Sequence, residues 1–169
     1  MSDDAFGTLM DSADPPLIVL TTVAEDEQAG CVVGFHTQSS ITPSQYCVWL
    51  SKANHTYRVG LRAAHFAVHF LTEADFWIAE RFGTLSGEDT DKFAGMEVDH
   101  DENGVPLLRA CPNRMSLERI ALLDDGGDHV CLATRVRSAA TSGSFVPLRL
   151  SSATHLDPGH ESEERAIKP

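Results

Sequence analysis

The sequence predicts a mainly β, α+β domain built on one antiparallel sheet. Three observations carry that prediction. Short runs rich in β-branched residues recur along the chain, separated by turn residues. Only two segments show clear helical periodicity. At 169 residues the chain is the size of one domain with one sizeable core. Many short strands and few helices favour a sheet closed into a barrel, so that no long edge remains.

The elements follow in order. The first dozen residues read as a short helix or a loose arm. Residues 17–23 (LIVLTTV) are a strand. The acidic stretch AEDEQAG reads as a turn, and residues 31–36 as the next strand. Residues 34–43 (GFHTQSSITP) read as a polar loop. Strands are expected at 45–50, 65–71, 115–123, 129–136 and 145–150, with DDGGD as the turn between 115–123 and 129–136. Residues 54–64 place Tyr57, Leu61 and Ala64 at i, i+4 and i+7, a helical stripe. Residues 73–82 do the same with Phe76, Ile78, Ala79 and Phe82, with Thr72 as N-cap and Gly83 as stop. A short turn is expected at 89–93. The core should hold Val19, Val33, Trp49, Phe66, Val68, Phe70, Phe82, Phe93, Leu117 and Leu132. The domain is taken as 1–155, and the polar stretch 156–169 as a frayed tail.

Charge narrows the partners. Thirteen Lys and Arg against 25 Asp and Glu leave a net charge of −12. That balance repels phosphate backbones and anionic membranes, so neither nucleic acid nor a membrane is expected as a partner. The acidic N-terminus MSDDAFG does not resemble a signal peptide, and the expected location is cytoplasmic. Cys31, Cys47, Cys111 and Cys131 show no C-x-x-C or zinc spacing and read as free thiols packed as small apolar groups. The eight histidines contain no H-E-x-x-H, and no metal is expected. G-x-S-x-G, P-loop and G-x-G-x-x-G motifs are absent as well.

Three segments could carry chemistry. Residues 34–40 (Gly34, Phe35, His36, Thr37, Gln38, Ser39, Ser40) offer hydroxyls, an amide and backbone N–H groups. Such donors suit the polar edge of a planar heterocycle or a phosphate, and equally an ordinary surface loop. Residues 51–56 (Ser51, Lys52, Ala53, Asn54, His55, Thr56) join a strand to a helix. Lys52 and the helix start make a phosphate site, or a simple cap beside an exposed lysine. His129 opens a strand after Gly127–Asp128, where a ring can donate or accept near neutral pH or merely face solvent.

In this order, LIVLTT, GFHTQSSITP, YCVWLSKANHT, HFAVHFL, IAERFG, DKFAG, GVPLL and GDHV resemble the flavin reductase family of FMN-binding split barrels. The likeness runs from Phe6 to Leu150. It implies an antiparallel Greek-key split β-barrel of FMN-binding type, homodimeric, with FMN or FAD near the interface. Residues 34–40 would hold the ring edge, and residues 51–56 the ribityl chain and phosphate. His129 would lie near the flavin ring or the nicotinamide. The implied activity is hydride transfer from NAD(P)H to the flavin, with a monooxygenase as a partner that takes the reduced product. The chain departs from the family pattern at Phe35–His36, at Thr42–Pro43–Ser44, and at Lys52, where arginine is frequent. Phe35 and His36 keep an alternative open, a flavin-binding protein without nicotinamide-dependent activity. A deazaflavin or a pyridoxine-type phosphate would suit the same barrel.

Overall fold

The computed structural model describes residues 3–87 and 90–153. The expected tail at 156–169 and the boundary at 155 lie outside them. Helix α1 is Asp3–Ala13. Strands β1 (Ile18–Ala24), β2 (Glu27–Val33), β3 (His36–Ser40) and β4 (Gln45–Ser51) precede helix α2 (His55–Gly60). Strand β5 (His65–Phe70) leads through a 3-10 turn, Glu73–Asp75, into helix α3 (Phe76–Thr84). Strands β6 (Val98–His100), β7 (Pro106–Leu108), β8 (Arg114–Leu123) and β9 (His129–Ala140) complete the set.

Seven strands form one antiparallel sheet in the order β2-β1-β5-β8-β9-β4-β3. Strands β2 and β3 are its two edges, yet only Gly34 and Phe35 separate them in the chain. The sheet therefore curls until its edges meet at that corner. No ladder joins β2 to β3 among the described residues, so the barrel is split, as the motif resemblance implied, and not fully closed as the strand count alone favoured.

Strand β1 is buried on both faces, which explains its unbroken apolar run. Ile18 and Leu20 pack inside the barrel with Phe66, Val68, Leu117 and Leu132. Leu17 and Val19 pack outside it under α3, with Ile78, Phe82 and Leu148. Phe82 lies so close to β2 that a Cβ on Gly30 would sit 2.8 Å from its ring. Lys92 is buried there too, and its ammonium donates to Gly30 O at 2.9 Å and Phe82 O at 3.0 Å. Most of the expected core is buried; Phe70 and Phe93 are half-buried on the rims of the two clusters, and Trp49 is half-buried on the outer face of β4.

Several expectations change. AEDEQAG is a two-residue hairpin, not a long turn. Glu25 and Asp26 adopt φ of 51° and 66°, and β2 starts at Glu27. Arg62 binds Glu25 and Glu27 at 2.7 Å each, which holds that left-handed pair without glycine. GFHTQSSITP is largely strand β3. Residues 145–150 form no strand; isolated bridges join Pro147 to Thr72 and Arg149 to Pro16. Gly83 lies within α3, which runs on to Thr84. Of the expected turn at 89–93, residue 89 lies outside the described residues. Three-residue strands β6 and β7 were too short to show a period.

His69 is fully buried and clips two segments together. Its Nδ1–H donates to Val19 O at 3.3 Å, and its Nε2 accepts from Leu108 N at 3.1 Å. Burial lowers its pKa to about 4. The unfolded ring takes up a proton near pH 6.5, and the folded ring resists it. Stability is thus fully present above about pH 6.5 and falls by roughly 3 kcal/mol as pH drops toward 4. Urea unfolding between pH 7 and 4.5 should show this decline. His69→Gln, which keeps a neutral donor and acceptor, should flatten it; an equally steep decline in the variant would assign the titration elsewhere.

Candidate functional site

Strand alternation decides which side chains share a face. On β4, Val48 and Leu50 point into the barrel, as do Val130 and Leu132 on β9. The opposite face carries Cys47, Trp49 and Ser51, which stand beside Cys131 and His129 through the pairs Trp49↔Cys131 and Ser51↔His129. Thr37 joins this outer face through its pairing with Cys47. Phe35 O accepts from Trp49 N at 2.9 Å, which extends the ladder by one residue. The Phe35 ring, 55% exposed, lies 5.0 Å from the His129 ring.

The result is an outer wall of Phe35, Trp49, Cys47, Cys131 and His129. Burial, with the neighbouring Cys47 thiol, pushes Cys131 up to about 11. Cys131 is therefore a neutral thiol at ordinary pH and behaves as an apolar group. All four cysteines are free.

Lys52 stands at one end of this wall. Its backbone N–H donates to Asp128 O at 2.9 Å, and its ammonium meets Asp124 Oδ1 at 2.9 Å. Asp128 in turn holds His129, with Oδ1 2.6 Å from Nδ1. That bond depresses the Asp128 carboxyl below its usual range. The β8–β9 turn thus gives Lys52 and His129 each a carboxylate partner. Asp124 was absent from the sequence expectations, and Asp128 figured there only as the residue before His129; DDGGD signalled a turn, and no local pattern reports what a turn reaches across the sheet.

The remaining candidates disperse. Alternation turns His36 to the other face of β3 from Phe35 and Thr37. Its Nδ1 accepts from the Tyr46 hydroxyl and its Nε2–H donates to Pro16 O, both at 2.7 Å. Burial lowers the His36 pKa, which keeps the ring neutral. Gln38 donates to Ser40 O at 3.3 Å beside a bulge, and Ser40 pairs with Gln45 at the far end of β4. At about 3.3 Å per residue, Ser40 lies roughly 20 Å from Ser51. Gly34 is half-buried at the corner. Ala53 and Thr56 face the core, and His55 turns away to meet Glu27 at 3.1 Å. Asn54 caps α2 by accepting from Thr56 N at 2.9 Å. The N–H groups of Lys52, Ala53, Asn54, Thr56 and Tyr57 all have protein acceptors. The groups left to meet an anion here are the Lys52 ammonium and the Ser51 hydroxyl, not the helix start.

A crevice of about 440 Å³ lies elsewhere, between β2, His55, Gly87 and residues 90–93. Among the described residues no three His, Cys, Asp or Glu side chains converge as a metal site. Nor is any helix there long and apolar enough to cross a membrane. The wall does fit a flavin. Its aromatic side chains suit a tricyclic ring, and Lys52 stands within the same β4–β9 ladder for a phosphate.

Comparison with known proteins shows the family and the fold. The chain is 27% identical over 131 residues to the reductase subunit HsaB of a flavin-dependent monooxygenase from Mycobacterium tuberculosis, covering 78% of this chain and 68% of that protein. It is also 27% identical over 128 residues to the stachydrine N-demethylase reductase subunit Stc3 of Rhizobium meliloti, covering 73% of this chain but only 54%, about half, of that protein. Among solved structures, flavin reductase HpaC complexed with NADP+ superposes with a TM-score of 0.74 at 16% identity, over 88% of this chain and 98% of that one, which shows the shared fold. The model of the flavin reductase like domain matches residues 10–149, and the chain belongs to that family.

Proposed function

We propose that this chain is a flavin reductase that takes hydride from NAD(P)H onto a bound FMN, or FAD, and supplies reduced flavin to a partner monooxygenase. One observation carries the reading. Phe35, Trp49 and His129 form an aromatic wall that ends at the only lysine of the β4–α2 connection, Lys52. Family membership and the reductase-subunit relatives support it.

When bound, the flavin supplies the redox chemistry: it accepts a hydride and passes two electrons onward. The chain binds and orients. Trp49 and Phe35 flank the ring, and Thr37 offers a hydroxyl to its edge. Lys52 and Ser51 hold the phosphate. His129, fixed by Asp128, positions the nicotinamide against the ring. A second copy of the chain would cover the ring's other side, and the exposed Phe6, Leu9 and Met10 of α1 give it an apolar surface to bury.

A second reading rests on the Phe35–His129 contact. The Phe35 ring occupies space beside His129 that a nicotinamide would need. In that case the chain binds flavin without reducing it. Anaerobic mixing of the flavin-loaded protein with NADH or NADPH separates the two. Bleaching of the flavin band by either donor is expected; persistent colour with both donors would favour the binding protein.

His129→Ala should lower turnover by roughly 10- to 100-fold while flavin stays bound, because positioning is lost and the wall is not. Loss of flavin with unchanged turnover per bound flavin would contradict that role. Lys52→Met should weaken FMN more than riboflavin, by a margin that shrinks in high salt. Titrations that lose both ligands equally would put the phosphate elsewhere.

A further inference from the structure

The turn between β8 and β9 does more than connect two strands. Residues 124–128 read Asp-Asp-Gly-Gly-Asp, and their first carboxylate is aimed at Lys52. Asp124 Oδ1 accepts from Lys52 Nζ at 2.9 Å and from Gly126 N at 2.9 Å. The second bond is internal to the turn. Gly126 reaches it with φ of 94°, a conformation that favours glycine. Asp124 is thus held in place by its own turn, with or without the lysine.

The two partners differ in exposure. The Lys52 side chain is 21% exposed and that of Asp124 is 50% exposed. A pair open to solvent on one side is weak, and a dianionic phosphate can displace the carboxylate from the ammonium. The displaced carboxylate cannot leave, because Gly126 keeps it beside the site. Bound phosphate then faces a fixed negative charge a few ångströms away, in a protein of net charge −12.

We infer that Asp124 sets the affinity of the site for phosphorylated flavin by competing with the phosphate for the Lys52 ammonium. This rests on the reading of Lys52 as the phosphate-binding residue. Its consequence is a flavin held loosely enough to leave, as a reductase that hands reduced flavin to a partner requires. Asp128 lies on the same turn but is bonded to His129 and meets Lys52 only by a weaker Coulombic attraction.

Asp124→Asn tests the inference. The amide oxygen still accepts from Gly126 N, and only the charge is removed. Binding of FMN and of riboflavin is measured by titration at low and high salt, for the wild type, Asp124→Asn, Asp124→Glu and Lys52→Met. Thermal unfolding confirms that each variant folds. FMN affinity of Asp124→Asn should rise about 3- to 10-fold at low salt, with riboflavin unchanged and the gain shrinking at high salt. Asp124→Glu, which restores the charge, should return FMN affinity toward the wild type. Unchanged or weaker FMN binding by Asp124→Asn, or an equal gain for riboflavin, would overturn the inference. Lys52→Met tells the two failures apart. If it selectively loses FMN while Asp124→Asn is silent, the phosphate reading stands and the competition falls. If it loses FMN and riboflavin equally, both fall.

Discussion

A covalent constraint shapes this molecule. The edge strands β2 and β3 are joined by Gly34 and Phe35 alone. Three Cα–Cα steps span at most about 11 Å, whereas a flat sheet of this width would hold its edges roughly 29 Å apart. The sheet must therefore curl. Its inner face becomes the barrel core, and its outer face near the corner becomes a surface that the chain's own helices leave uncovered. Phe35 sits at that corner, which is why it is exposed yet tied to Trp49 and set against His129.

The curl also explains how a short connection acquires chemistry. Because residues 36–40 form an edge strand, alternate side chains diverge. Thr37 stays with the outer wall, and His36 turns toward Tyr46 and Pro16. The histidine thereby becomes a brace between β3, β4 and the entry to β1. The same logic divides residues 51–56, since the chain turns into α2 there. Ser51 and Lys52 continue the β4–β9 ladder, and Ala53 and Thr56 enter the core.

Charge is arranged locally against the overall balance. A net charge of −12 would exclude anionic ligands from an unstructured surface. Here Lys52 and the His129 ring are drawn from separate parts of the chain, and each is given one carboxylate from a single turn. Lys52 and His129 are therefore oriented without being buried. Lys92, by contrast, is sequestered between Gly30 O and Phe82 O, and burial lowers its pKa. It is a structural clip, and its charge is not offered to the outer wall.

The sequence alone determined the class of fold and most strand positions. β-branched runs and their alternation are local properties, so β1, β4, β5, β8 and β9 were legible within a residue or a few of their ends. Family-like motifs singled out segments holding Phe35, Ser51, Lys52 and His129, which the fold brings close together. Tertiary structure alone decided which of their companions face the same way. A hydroxyl-rich stretch reads the same as loop or edge strand until β4 pairs with it, and the Glu25–Asp26 turn gives no glycine signal because Arg62, far along the chain, holds it. The Asp124–Lys52 and Asp128–His129 pairs depend on where a turn folds across the sheet, and long-range register is not written in any local spacing.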